Sequence, residues 1–164
     1  MFVSHAATLD VSFEVAMTRL AALTGSGVLT QISVDAYAAG APPSVPWLTG
    51  SRFRDLIARP GRAVLAVRWE TDGHYGEPFP VLDADLTLTP AGPSAALLEL
   101  SGIYRADSGE DGSRMGAVVL GGFVDRIAET ITRGYRHRLG PARDPGPART
   151  GSSALARNTR RRRQ

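Results

Sequence analysis

The chain has 164 residues, no cysteine, 43% apolar and 7% aromatic residues. That fits one domain, since ~100 to 200 residues is the usual allotment, and it excludes both disorder throughout and a disulfide scaffold. A domain of this size buries roughly 68 to 70% of its unfolded surface, enough for a core without staples. The longest apolar run, Met115 to Val124, contains three glycines and falls far short of the ~18 to 20 residues that span a membrane. The N-terminal stretch lacks the basic flank and apolar segment of a signal peptide, so a cytoplasmic location is expected.

The formal charge of +3 is unevenly spread. Residues 141–164 hold seven arginines and one acid, whereas residues 1–140 hold twelve arginines against fifteen acids, so the body is near −3 and the tail near +6. Every basic residue is arginine and none is lysine, a bias that a GC-rich genome produces without selection for phosphate chemistry. The tail mixes Pro141, Pro145 and Pro147 with glycine and serine and ends in Arg160 to Arg163. It is expected to be disordered. Such a run can hold nucleic acid or anionic membrane through salt-dependent phosphate contacts, but it carries no aromatics on which bases could stack.

In chain order, Thr8 to Val15 alternates, with Leu9, Val11, Phe13 and Val15 on one side, and reads as the first strand. Ala16, Leu20 and Leu23 then follow helical spacing until Gly25-Ser26-Gly27, which predicts a short helix near 15–24. Val28 to Gly40 fits two periods: Leu29, Ile32, Ala36 and Tyr37 share a helical stripe, while Val28, Thr30, Ile32 and Val34 alternate. Pro42, Pro43 and Pro46 make Ala41 to Thr49 an extended connection, because each proline removes a donor and restricts its predecessor. Four strand-like runs follow, Arg52–Ala58, Ala63–Thr71, Phe79–Thr89 and Ala95–Arg105, separated by turn residues such as Arg59-Pro60-Gly61 and Asp72-Gly73. Short connections imply antiparallel pairing. Arg114 to Leu139 contains no proline and repeats Val119, Phe123, Ile127, Ile131 and Tyr135 every four residues, one long amphipathic helix. Gly116, Gly121, Gly122 and Gly134 weaken it by ~1 kcal/mol each relative to alanine, which implies close packing or a bend.

Three of the strands have one apolar face each: Ala63, Leu65, Val67 and Trp69; Leu82, Ala84, Leu86 and Leu88; Leu98, Leu100, Gly102 and Tyr104. An antiparallel sheet with one face on a core alternates in this way, and the long helix offers the matching stripe. The predicted class is α+β, with the helix packed on a curved antiparallel sheet.

The order of strand, one or two short helices, antiparallel meander and long C-terminal helix resembles the START-like (SRPBCC) superfamily, which includes polyketide cyclases and Bet v 1-like proteins. The resemblance covers about residues 8–139, within a domain taken as 1–140. It rests on Phe79-Pro80-Val81-Leu82-Asp83-Ala84-Asp85-Leu86-Thr87-Leu88-Thr89-Pro90, on Leu97 to Tyr104, and on Val124-Asp125-Arg126-Ile127-Ala128-Glu129-Thr130-Ile131. These segments look like bacterial members. The chain departs from the pattern at Glu14-Val15-Ala16-Met17, where many members carry a proline and a Val-Trp pair. The resemblance implies a helix-grip fold and a small hydrophobic molecule, a lipid or polyketide, held between sheet and helix. Trp69, Leu86, Leu100, Tyr104, Phe123, Ile127, Ile131 and Tyr135 would then line the ligand-binding space. The competing reading of the same side chains is a filled core. Two further functions stay open: a polyketide cyclase or dehydratase, which works largely by holding a reactive conformer, and an interaction module using the arginine tail.

Little catalytic chemistry is visible. His5, His74 and His137 lie more than sixty residues apart and no cluster has metal-ligand spacing, so no metal or cofactor is expected. No Gly-x-Ser-x-Gly elbow is present, and Gly25-Ser26-Gly27 reads as a helix stop. Asp83 and Asp85 share one strand face, but Arg68 and Glu70 on the neighbouring strand make cross-strand charge pairs the simpler explanation. Tyr104 and Tyr135 are the better polar candidates, since a phenol on an apolar wall can orient a ligand carbonyl or hydroxyl. No catalytic residue is assigned.

Overall fold

The computed structural model describes residues 1–40, 47–72, 78–105 and 110–134, without the side chains of 78, 79 and 110–115. The arginine tail, Tyr135, His74 and His137 lie outside the described residues, as do the prolines at 42, 43 and 46.

The chain begins with β1, Phe2–Leu9, and continues through α1, Phe13–Gly25, and α2, Val28–Gly40. The strands β2 (Leu48–Phe53), β3 (Ile57–Arg59), β4 (Arg62–Asp72), β5 (Pro78–Gly92) and β6 (Ala95–Tyr104) precede α3, Glu110–Arg133. Among the described residues six strands form one sheet in the order β1-β6-β5-β4-β2, with β3 also on β4, and every pairing is antiparallel. The last strand of the meander thus returns to the first. α3 packs across β1 and β6, and α1 and α2 complete the cover. This is the α+β helix-grip arrangement.

The first strand lies earlier than Thr8–Val15. Ser12 is the N-cap of α1, its Oγ accepting a hydrogen bond from the Val15 N–H at 3.4 Å, with Glu14 in the first turn. Capping satisfies an orphan donor and complements the helix dipole, so Phe13 becomes the first helical residue and Val15 turns outward at 40% exposure. The alternation of Leu9, Val11 and Phe13 therefore crosses a strand-to-helix turn. The strand itself is poorly patterned in sequence because His5 and Ala7 occupy inward positions beside Val3 and Leu9.

Val28–Gly40 resolves as a helix, for a local reason. The Ser26 N–H and hydroxyl both bond the Leu23 carbonyl, closing α1, and the same Oγ accepts from the Val28 N–H at 3.4 Å. Gly27 takes the left-handed region at φ 75°, which costs a glycine little, and α2 starts at once. Its buried stripe is Leu29, Ile32, Ser33, Ala36 and Tyr37.

Arg52–Ala58 is two strands, not one. β2 ends at Phe53, the Arg54 N–H donates to the Ala66 carbonyl at 3.0 Å, and pairing resumes at Ile57↔Val64. The helix predicted for 114–139 is also shifted, running from Glu110 to Arg133. Gly134 has φ 76° and its N–H bonds the Ile131 carbonyl at 3.3 Å. Arg19 of α1 donates to the carbonyls of Ile131 (2.6 Å) and Thr132 (2.9 Å). A left-handed glycine and a cation on the last carbonyls together end a helix, whatever apolar spacing continues in the sequence.

Two of the helix glycines have packing reasons. A Cβ on Gly116 would lie 2.8 Å from Cδ1 of Tyr104, and one on Gly121 would lie 3.1 Å from Cε1 of His5. A side chain at 116 requires the Tyr104 ring or the helix to shift, and one at 121 requires the His5 ring to give way by a few tenths of an ångström. Gly122 has open space around it, and nothing in the structure explains it.

Candidate functional site

The space between sheet and α3 is organised around Trp69, in the middle of β4. Its indole meets the ring of Phe123 edge-on, with centroids 5.0 Å apart at 77°, and that of Tyr37 at 6.2 Å and 84°. Phe53 of β2 stacks on the other side of Phe123 at 6.4 Å and 25°. Edge-to-face contacts of this kind contribute ~0.5 to 1.5 kcal/mol beyond area burial. The indole N–H donates to Ser33 Oγ at 3.1 Å, and the Ser33 hydroxyl donates to the Leu29 carbonyl at 2.9 Å. Both polar groups are thus satisfied in an apolar setting, as burial requires.

Of the eight residues singled out from the sequence, Trp69, Leu86, Leu100, Tyr104, Phe123, Ile127 and Ile131 all lie on this inner layer at 1% exposure or less. Register explains how they come together. Leu86 is opposite both Leu65 and Leu100, and Leu82 is opposite both Trp69 and Tyr104, so three strands present one apolar surface. Phe123, Ile127 and Ile131 follow at helical spacing and meet it. Tyr135, the eighth, lies beyond the described end of α3.

Tyr104 closes one end of the layer. Its N–H donates to the Met1 carbonyl at 2.9 Å, its carbonyl accepts from the Met1 ammonium at 2.8 Å, and its ring lies under Gly116. Burial, and secondarily the neighbouring Tyr37 phenol, push the Tyr104 phenol well above its ordinary pKa. Desolvation penalises the phenolate, so at neutral pH the group is a protonated phenol, able to donate a hydrogen bond and unfit to act as a base.

Several residues of this layer were missed as site candidates in the sequence, among them Tyr37, Ser33, Phe53 and Ser51. Ser33 sits on the α2 stripe one turn after Leu29, and a serine on an apolar stripe was the available signal. Phe53 and Ser51 are placed inward only by the register of β2, where Ser51 is opposite Trp69 and Phe53 opposite Val67. The Ser51 hydroxyl oxygen is buried and has no hydrogen-bond partner among the described residues.

The outer face of the sheet carries charge instead. Arg68 contacts Glu70 at 2.9 Å and Asp83 at 3.7 Å, Arg105 contacts Asp83 at 3.1 Å, and Arg52 contacts Glu70 at 3.3 Å. Asp83 is thus a member of an ion-pair ladder and faces away from the inner layer, as the cross-strand reading expects for it, whereas Asp85 lies exposed opposite Ala66 and belongs to none of these pairs. Arg52 and Arg105 are additions that only register reveals. His5 approaches Asp125 at 3.5 Å, and among the described residues no three His, Cys, Asp or Glu side chains converge in a way that would hold a metal. No helix among them is long and apolar enough to cross a membrane.

No family model and no curated protein matches the chain. Several solved structures are similar in fold. A hypothetical protein from Helicobacter pylori superposes with a TM-score of 0.44 at 11% identity, over 77% of this chain and 88% of that one. The lipid transfer and protein localization domain of human StarD13 gives 0.40 at 9% identity, over 79% and 76%. The ZhuI aromatase/cyclase from Streptomyces sp. R1128 gives 0.37 at 12% identity, over 81% and 94%.

Proposed function

We propose that the protein binds a small hydrophobic molecule, a lipid, a polyketide or a compound of similar character, between the sheet and α3. The observation that carries this reading is the composition of the inner layer: aromatic rings of Trp69, Phe53, Phe123 and Tyr37 beside a few hydroxyls. Ligand sites combine a mostly apolar lining with a small number of placed polar groups. Binding rather than catalysis is favoured because the layer offers a protonated phenol at Tyr104 and, among the described residues, no base beside it on which a proton transfer could be built. A cyclase would therefore have to work through conformational confinement of its substrate alone.

The test is native mass spectrometry of the full chain purified from its own host, followed by denaturing extraction. The expected result is a stoichiometric apolar adduct. Absence of any adduct, together with no thermal shift from a panel of fatty acids, sterols and aromatic polyketides, would leave the layer a filled core and defeat the proposal.

A further inference from the structure

Among the described residues one buried side-chain hydroxyl has no hydrogen-bond partner. Trp69 Nε1 is bonded to Ser33, and Ser33 to the Leu29 carbonyl. The Ser51 hydroxyl, buried and on the same face as Trp69, has no partner among the described residues. Its inward direction is fixed twice over. Residues directly opposite in an antiparallel pair share a face, and Phe53, two residues along, stacks on Phe123. The backbone around it is irregular as well: the β2–β4 register shifts between Leu48 and Gly50, and the β4–β5 register shifts between Trp69 and Glu70. Register shifts of this kind re-aim side chains and are common beside functional sites.

A buried hydroxyl without a partner destabilises the folded protein, and an alanine in the same strand would avoid that cost. We propose that Ser51 anchors the ligand: its O–H donates to an acceptor oxygen, such as a carbonyl, on a molecule whose apolar body lies against Trp69 and Phe53. The ligand class is thereby narrowed to amphipathic oxygenated compounds rather than plain hydrocarbons. This rests on the reading of the inner layer as a ligand site.

The experiment uses the full chain and two probes of matched shape, 2-acetylnaphthalene and 2-ethylnaphthalene, titrated calorimetrically. The wild-type protein is expected to prefer the ketone by about five-fold, the net value of one neutral hydrogen bond. Ser51→Ala should abolish that preference, and Ser51→Thr should restore it. In the absence of probe, Ser51→Ala should melt at the wild-type temperature or roughly 2 °C or more above it. A preference that survives in Ser51→Ala, or a lower melting temperature for that variant, overturns the anchor role. Binding of both probes to wild type without preference overturns Ser51 alone. Binding of neither overturns the ligand-site reading itself, and the anchor with it.

Discussion

On the inner face of the sheet Trp69, Leu82 and Tyr104 are at 1% exposure or less, while one residue away along the chain Arg68, Asp83 and Arg105 keep 40 to 46% of their side-chain surface in solvent. The inner residues gain free energy by leaving water, roughly 1.5 to 3 kcal/mol for each large apolar side chain. The outer ones gain it from ion pairs that solvent and salt screen, ~0 to 1 kcal/mol each. A function located on the inner layer is therefore tied to stability, and changes there alter both together. The exposed members of the outer ladder can be edited with little effect on the fold, whereas Glu70, at 8% side-chain exposure between Arg52 and Arg68, cannot.

The largest expected effect is that of Ile127→Arg. It puts a charge at a fully buried position of α3, which no neighbour compensates, and should abolish cooperative melting or cause aggregation. A soluble, cooperatively folded variant would contradict the orientation of the helix. Phe123→Ala removes the ring shared by Trp69 and Phe53, and should cost ~3 to 5 kcal/mol in chemical denaturation. Ser33→Ala leaves the Trp69 indole N–H buried without its acceptor, and should cost ~1 to 3 kcal/mol; a neutral result would mean that the indole finds another acceptor.

Alkaline titration separates the faces differently. The folded state holds the Tyr104 proton more tightly than the unfolded state, whose phenol has the ordinary value of 10.0. The stability from this group is thus fully present below pH 10 and is lost as pH rises above it, with a slope of up to about 1.4 kcal/mol per pH unit. Tyr104→Phe should flatten the curve relative to wild type above pH 10 and leave its shape unchanged at neutral pH. On the outer face, Asp83→Asn unpairs Arg105 and weakens the contact of Arg68. It should cost less than ~1 kcal/mol, with the difference shrinking in high salt. A loss comparable to that at Phe123 would erase the distinction between the faces.

The inner layer was largely legible in the sequence because strand alternation and helical spacing both report burial. Trp69, Leu86, Leu100 and Tyr104 could be assigned to one face before any pairing was known, and so could Phe123, Ile127 and Ile131. What pattern could not supply was set by single hydrogen bonds and by register. Ser12 and Ser26 fix where α1 begins and α2 starts, and the Arg19 guanidinium helps to end α3 from a distant part of the chain. Periodicity carries no trace of a contact across 112 residues. Ser51 is likewise invisible until β2 is paired with β4, because only that pairing puts it opposite Trp69.

The most direct test of a ligand-receiving inner layer is the fluorescence of Trp69 itself. The chain has two tryptophans, and Trp47 is 75% exposed, so Trp47→Phe leaves Trp69 as the sole reporter without disturbing the core. Titration of that variant with the apolar compound extracted from the native protein, or with 2-acetylnaphthalene, should change the emission saturably at one equivalent per chain. Emission that stays constant across the titration would contradict the account.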